Sequence, residues 1–347
     1  NHNHFENPID KFLPSDKEIK KKKKKKKGSN LIYFGPGVHN LPNDTLFVPS
    51  GTTVYIDGGA RVYGNIFTEG AHDVNIFGRG EVHPDGRGAG VWVRRSKNVR
   101  IDGIVVSQLP IGQCDSVELT NVKSISYYGW GDGMDVFSSS NVILDGVFCR
   151  NSDDCAAVYA STQGFKGGSN NVLVKNATLW ADVAHPINIG GHGDPNGMDT
   201  VQNVTFRNID ILDQAEKQVD YQGCLAINPG DNTLVRNITF ENIRIEDFRN
   251  GQLVNFRISF NPKYCVSTGR GIQNVLVKDV TYNGSGENLS IIAGYDENHK
   301  ISGIRFVNLV VNGRKITDDM PGKPKWYKTG DMAGIFVGEH VENLSFE

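Results

Sequence analysis

The chain has 347 residues, 40 of them glycine, with five cysteines and a formal net charge of −2. That length admits one large core or two ordinary domains, and the near-neutral charge argues against nucleic acid or an anionic membrane as a partner. No apolar stretch approaches the roughly 20 residues that span a bilayer, and hydrophobic residues recur throughout, which excludes wholesale disorder.

Residues 1–29 read as a segment apart. Lys20 to Lys27 are consecutive lysines, followed by Gly28 and Ser29. A run of like charge repels itself and stays solvated, so the segment is expected to be a flexible linker. The chain opens on Asn1 without a signal peptide and so reads as a mature or trimmed form.

From Asn30 to Glu347 a repeat takes over. Its clearest copies are Asn98-Val99-Arg100-Ile101, Asn141-Val142-Ile143-Leu144, Asn171-Val172-Leu173-Val174, Asn203-Val204-Thr205-Phe206, Asn237-Ile238-Thr239-Phe240 and Asn274-Val275-Leu276-Val277, with weaker copies at Asp73, Ser116 and Gly303. Apolar second and fourth positions are the signature of a strand with one buried face. The sixth positions are Gly78, Gly103, Asn121, Gly146, Asn176, Asn208, Asn242, Asp279 and Asn308. These residue types best tolerate positive φ, so each unit reads as strand, left-handed corner, strand. Copies begin 18 to 37 residues apart. A constant strand core with loops of varying length predicts an all-β solenoid, a parallel β-helix, over residues 30–347. An antiparallel sandwich would show hairpin signals, and only Asn283-Gly284 and Asn312-Gly313 do. The seven Asn-x-Ser/Thr sequons are read as by-products of the repeat. Cys114, Cys149, Cys155, Cys224 and Cys265 form no disulfide or metal framework and are expected to be buried thiols.

The chemistry concentrates between Tyr127 and His192. Asp132 lies between Gly131 and Gly133, and Asp153 and Asp154 follow 21 and 22 positions later, about one coil on. Adjacent coils stack at roughly 4.8 Å, so three carboxyls converge and repel, and at least one pKa must rise. A proton donor facing a base is what glycoside hydrolysis requires. Regular strand alternation would point Asp153 and Asp154 to opposite faces, so the backbone must bend there. The glycines beside Asp132 are expected to let its loop approach a substrate closely. Trp130, Tyr159 and Trp180 are candidate stacking surfaces for sugar rings. His185 or His192, one coil later, is a candidate to orient an acid.

Asp132-Gly133-Met134-Asp135, Ser138-Ser139-Ser140-Asn141-Val142 and Asp153-Asp154-Cys155 together resemble the active-site region of glycoside hydrolase family 28, the polygalacturonases. That family carries Asn-Thr-Asp-Gly-Ile-Asp, Ser-Ser-Asn-Val, Asp-Asp-Cys and a later Gly-His-Gly. The resemblance implies a right-handed parallel β-helix and hydrolysis with inversion. It also implies that Asp153 is the general acid, that Asp132 and Asp154 activate the water, and that His185 supports them. Trp130, Asp135, Tyr159, Trp180, His192, Tyr221 and Arg257 are the candidate substrate-binding residues. Trp130-Gly131 replaces the family's Asn-Thr, and Ala184-His185-Pro186 its Gly-His-Gly unless Gly191-His192-Gly193 is the counterpart. The family's Arg-Ile-Lys, which binds the galacturonate carboxylate, falls near Leu225-Ala226-Ile227, with Arg257 a coil further on.

The acids also resemble those of family 49, the dextranases and isopullulanases, which act on neutral α-glucans and carry an N-terminal β-sandwich; that resemblance implies that residues 1–19 are the remnant of such an upstream domain. A polysaccharide lyase on this scaffold would need a carboxylate-rich calcium site and a basic partner, and a non-catalytic adhesin would need no converging acids. The expectation is therefore a glycoside hydrolase acting on a polysaccharide or oligosaccharide, without metal or cofactor, monomeric, and extracellular or periplasmic. Acid and base are expected roughly 6.5–9.5 Å apart.

Overall fold

The computed structural model describes residues 30–347 apart from Gln222 and Glu287. The expected linker and domain remnant at 1–29 lie outside the described residues.

The repeat folds into a parallel β-helix, as its pattern predicts, and the helix is right-handed, as the family resemblance implies. Every strand pairing among the described residues is parallel except that of Leu309–Val311 with Arg314–Ile316. Second positions align coil over coil as Val99, Val117, Val142, Val172, Val204, Ile238, Val275 and Ile304. Fourth positions align as Ile101, Leu119, Leu144, Val174, Phe206, Phe240, Val277 and Phe306. All are buried, and burying each such side chain is worth about 1.5–3 kcal/mol. Like residues stack on like, as Phe206 does on Phe240 at 5.9 Å between ring centroids.

All nine sixth-position residues have positive φ, from 53° to 140°. The first positions do too, from 53° at Asn98 to 71° at Gly303, which the sequence reading did not anticipate. Each coil therefore turns a left-handed corner on both sides of its central strand. Asparagine serves both corners because its amide also bonds the coil below. One ladder has Asn171 Nδ2 donating to Asn141 Oδ1 at 2.7 Å and Asn237 to Asn203 at 3.1 Å. The other has Asn208 donating to Asn176 at 2.8 Å and Asn242 to Asn208 at 3.2 Å. The amides of the sequon residues Asn203 and Asn237 thus belong to a ladder. The five cysteines are free and buried.

Three strand columns result. One holds the short strands Val136–Phe137, Ala156–Tyr159, Ile187–Ile189, Leu225–Ile227 and Val254–Arg257. The loops entering these strands carry the acids, and the loops leaving them form the facing wall. No helix among the described residues is long and apolar enough to cross a membrane.

Candidate active site

A cleft of about 700 Å³ lies over this column. Asp132 enters it from the loop between Lys123–Ile125 and Val136–Phe137. Its flanking glycines are needed for packing against the next coil. A Cβ on Gly133 would sit 2.2 Å from the Cys155 carbonyl oxygen, and one on Gly131 2.5 Å from Ser152 Oγ. The Gly133 and Met134 amides donate to the Asp154 and Cys155 carbonyls at 2.8 and 2.9 Å. The first acid is thereby locked onto the coil that carries the other two.

Asp153 and Asp154 occupy an irregular bend between Phe148–Asn151 and Ala156–Tyr159, so strand alternation does not separate them, and both line the cleft. Carboxylate oxygens of Asp132, Asp153 and Asp154 lie within 4.8 Å of one another. That is tighter than the expected 6.5–9.5 Å and lies just below the roughly 5–5.5 Å of retaining enzymes. The cause is the scaffold: acids one coil apart inherit the spacing between strands.

The three acids are treated differently. Asp154 Oδ2 accepts from Tyr159 Oη at 2.6 Å and from Asn188 Nδ2 at 2.9 Å. Its Oδ1 accepts from the His185 backbone amide at 3.1 Å and meets His185 Nδ1 at 2.7 Å. The other nitrogen of His185, Nε2, faces the Tyr221 carbonyl. A ring with acceptors at both nitrogens is favoured as imidazolium. Burial pushes Asp154 up, but the His185 charge and the hydrogen bonds from His185, Tyr159 and Asn188 outweigh it and hold the carboxyl at about 2. Burial lowers His185, and the Asp154 carboxylate more than offsets it, so His185 is raised. Asp153 accepts from the Asp154 backbone amide at 3.1 Å but, among the described residues, has none of the side-chain donors that hold Asp154. Burial and the Asp154 charge push it up to about 7. Asp132 is also raised, by burial and by the charges of Asp153 and Asp154.

A fourth carboxyl, Asp135, lies beneath them. It is buried and raised by burial and by the three acids. His185, not His192, touches the acids. His192 lines the cleft with its ring edge-on to Tyr159, centroids 5.0 Å apart, and burial lowers its pKa. Tyr159 is too buried, at 7% exposure, to serve as a sugar platform, and its hydroxyl holds Asp154 instead. Trp130 and Tyr221 line the cleft.

Two candidates do not reach it. Trp180 follows Leu179 on Ser169–Ala181, whose inward positions are Leu179 and Ala181. Its ring therefore faces outward, under the Arg150 guanidinium at 4.3 Å. Arg257 ends Val254–Arg257 and is not among the cleft-lining residues. Leu225, Ala226 and Ile227 are fully buried.

The family model for glycosyl hydrolases family 28 matches residues 89–321. The chain belongs to that family. Of this family 28 chain, 60% aligns at 26% identity with 39% of a polygalacturonase of Juniperus ashei. It spans about half the length, or less, of the curated relatives it matches. A family 28 exopolygalacturonase of Yersinia enterocolitica superposes with a TM-score of 0.65 at 14% identity, over 94% of this chain and 74% of that one. Dex49A from Penicillium minioluteum superposes with a TM-score of 0.60 at 14% identity, over 92% and 60%. These structures share the fold.

Sequence reasoning missed Asn188, Glu216, Gln218, Lys263 and Tyr264, all of which line the cleft. Asn188 had a signal: it is a polar residue between Ile187 and Ile189 on a buried strand. Lys263 and Tyr264 had none, because they lie far along the chain in a loop without repeat character.

Proposed function

We propose that this family 28 protein hydrolyses glycosidic bonds in a polysaccharide, with inversion and without a metal. The observation that supports this best is the divergence of adjacent carboxyls, Asp153 up at about 7 and Asp154 down at about 2. Carboxyls driven apart by their surroundings mark acid and base roles.

Asp153 protonates the leaving oxygen. Asp154, fixed as an anion by His185, Tyr159 and Asn188, orients the attacking water. Asp132, with a raised proton affinity, accepts the water's proton, since a base is more effective as its pKa approaches the working pH. Because the three oxygens cluster, the sugar sits beside them instead of between two walls. Inversion then requires the water on the Asp132–Asp154 side. The imidazolium of His185, already pairing Asp154, disfavours a dication at the cluster, so a chelator should leave the rate unchanged. Tyr159, Asn188 and His185 position Asp154, and Trp130, Tyr221, His192 and Asp135 shape the remainder of the cleft.

The cleft is complete within one chain, which supports a monomer, and a polymeric substrate supports action outside the cytoplasm. A second reading, a hydrolase of neutral α-glucans, is favoured by one observation: the buried apolar Leu225–Ile227 where polygalacturonases carry cations. A non-catalytic adhesin is disfavoured because mutual repulsion of three acids has no use in it.

The test is reducing-end release from a panel of plant and microbial glycans, with the product anomer followed by NMR in early turnover. Release with an inverted anomer is expected. A retained anomer would mean a covalent intermediate and sink the role assignment. No release from any glycan would sink the hydrolase reading.

A further inference from the structure

On the sheet faces, cations are paired from coil to coil. Glu241 takes Arg207 at 2.7 Å and Lys278 at 3.1 Å, and Arg305 meets Glu347 at 2.9 Å. The pattern stops at the antiparallel pairing of Leu309–Val311 with Arg314–Ile316. Beyond it, residues 317–334 leave the repeat before the chain returns as strand Ile335–Val337. This stretch carries Arg314, Lys315, Lys323, Lys325 and Lys328, and none of the five is in an ion pair among the described residues.

The nearby carboxylates are committed to other groups. Asp318 Oδ1 accepts from Thr329 Oγ1 at 2.5 Å, and its Oδ2 from the Phe346 amide at 3.0 Å. Asp331 Oδ2 accepts from the Lys328 backbone amide at 2.8 Å. Asp319 is held low by the Thr317 hydroxyl at 2.7 Å and by its own amide, with the charges of Lys315 and Lys323 adding. Lys323 Nζ donates to the Asp318 carbonyl at 2.9 Å and to Thr329 Oγ1 at 3.0 Å. Lys325 and Lys328 remain, both exposed, with neither ammonium hydrogen-bonded among the described residues. Between them stand Trp326, 82% exposed, and Tyr327, 45% exposed, their rings edge to face with centroids 6.3 Å apart. The bonds of Asp318 to Phe346, the hold of Lys323 and the buried Met320 fasten this loop to the last strand, Val341–Phe346. It enters the cleft column as the acid-bearing loops do. Five strand steps separate Ala156–Tyr159 from Ile335–Val337, about 24 Å at the usual strand spacing, and none of the four residues lines the cleft.

An ammonium without a carboxylate partner keeps its donors available for an anion. An aromatic face, negative at its centre, attracts the C–H face of a sugar ring. A sugar chain bearing anionic groups offers both partners along one strand. Two free ammoniums on a chain of net charge −2 supply little of the counterion release on which nucleic-acid binding draws. A membrane surface would be met by an amphipathic helix, and the helix here, Thr329–Met332, has four residues.

We propose that Lys325, Trp326, Tyr327 and Lys328 form a second carbohydrate-binding surface, outside the cleft, that holds an acidic polysaccharide. The lysines take carboxylate or sulfate groups, and Trp326 stacks on a ring between them. The surface keeps the protein on its polymer whichever bond the cleft cuts, so the claim stands apart from the hydrolase reading.

The test measures binding alone, with the full chain carrying Asp153→Asn so that no polymer is cut. Affinity electrophoresis compares this parent with the same chain carrying Lys325→Gln and Lys328→Gln together, or Trp326→Ala, all at exposed side chains. The gels hold polygalacturonate, dextran sulfate, or polygalacturonate fully methyl-esterified. The lysine changes should raise Kd about fivefold on an acidic polymer at low ionic strength, and the gap should close by about 0.5 M salt. A loss confined to one of the two acidic polymers names the anionic group. Trp326→Ala should raise Kd about fivefold on the same polymer. The esterified polymer should not register the lysine changes. Equal Kd of parent and lysine variant on both acidic polymers overturns the proposal, as does an equal loss on the esterified one or a parent that no acidic gel retards. Tighter binding to phosphatidylglycerol vesicles or to single-stranded DNA than to either acidic polymer overturns the assignment to polysaccharide.

Discussion

Two stacks of polar side chains run up this helix, and they obey opposite rules. In the corner ladders, Asn141, Asn171, Asn203, Asn237 and Asn274 lie one above the next, each amide donating to the oxygen of the coil below; the exception is Asn203, which reaches Asn170 Oδ1. In the cleft, Asp132 and the Asp153–Asp154 pair occupy adjacent coils with acceptor against acceptor. The concavities beside them are of similar size, about 580 Å³ along the ladder and about 700 Å³ over the acids. Size therefore does not mark the site. The same coil-on-coil geometry satisfies every amide in one place and forces carboxyls together in the other. Strain of that kind, held in place by a well-satisfied scaffold, is where chemistry is to be sought.

The comparison breaks most visibly if an acid is made an amide. Asp153→Asn turns the stack toward the ladder's chemistry, keeps the shape and removes the proton. Polysaccharide hydrolysis should fall by roughly 10²-fold or more. An aryl glycoside with a good leaving group, if accepted, should spare Asp153→Asn in part. Asp132→Asn and Asp154→Asn should not be spared, because the water must still be activated. Equal rescue of all three would remove the distinction between acid and base.

Proton occupancy gives the next largest effect. Asp153 must be protonated and titrates at about 7, so kcat should decline about tenfold per unit as pH rises above 7. His185→Ala removes the cation that holds Asp154 down. The Asp154 carboxyl should then titrate higher, and the acid limb of the profile should move to higher pH. An unmoved acid limb would show that His185 acts only in packing.

Stability sharpens the contrast with smaller numbers. Asp153 keeps its proton to about 7 in the folded state, against about 3.9 unfolded. The folded state binds more protons between those values, so this group's contribution to stability falls as pH rises from about 4 to about 7. Asp153→Asn should therefore raise Tm over wild type at pH 8, and the gain should vanish at pH 3.5. Calorimetry at the two values checks this. In the ladder the same logic runs backward. Asn208→Ala or Asn242→Ala should each cost about 1–2 kcal/mol for the left-handed corner, with about 1 kcal/mol more for the lost amide bond. Urea unfolding without loss of stability would refute the ladder's role.

How much of this was legible in the chain depends on range. The apolar second and fourth positions, the corner residues and the three acids all act within a few residues of themselves. Period-two alternation and tolerance of positive φ are local properties, so the solenoid could be read from its repeat. The 21-residue offset between Asp132 and Asp153 matched one coil closely enough for their convergence to be foreseen. What could not be read was vertical alignment elsewhere. Coil lengths vary from 18 to 37 residues, and the variation lies in the loops that build the cleft walls. Lys263 therefore reaches a site more than a hundred residues back in the chain, while Trp180, much nearer in sequence, faces solvent under Arg150. The choice of His185 over His192, and the conversion of Tyr159 from sugar platform to hydrogen-bond donor, were settled only when the coils were stacked. A side chain's partners across coils are fixed by register and burial, and those exist only in the folded helix.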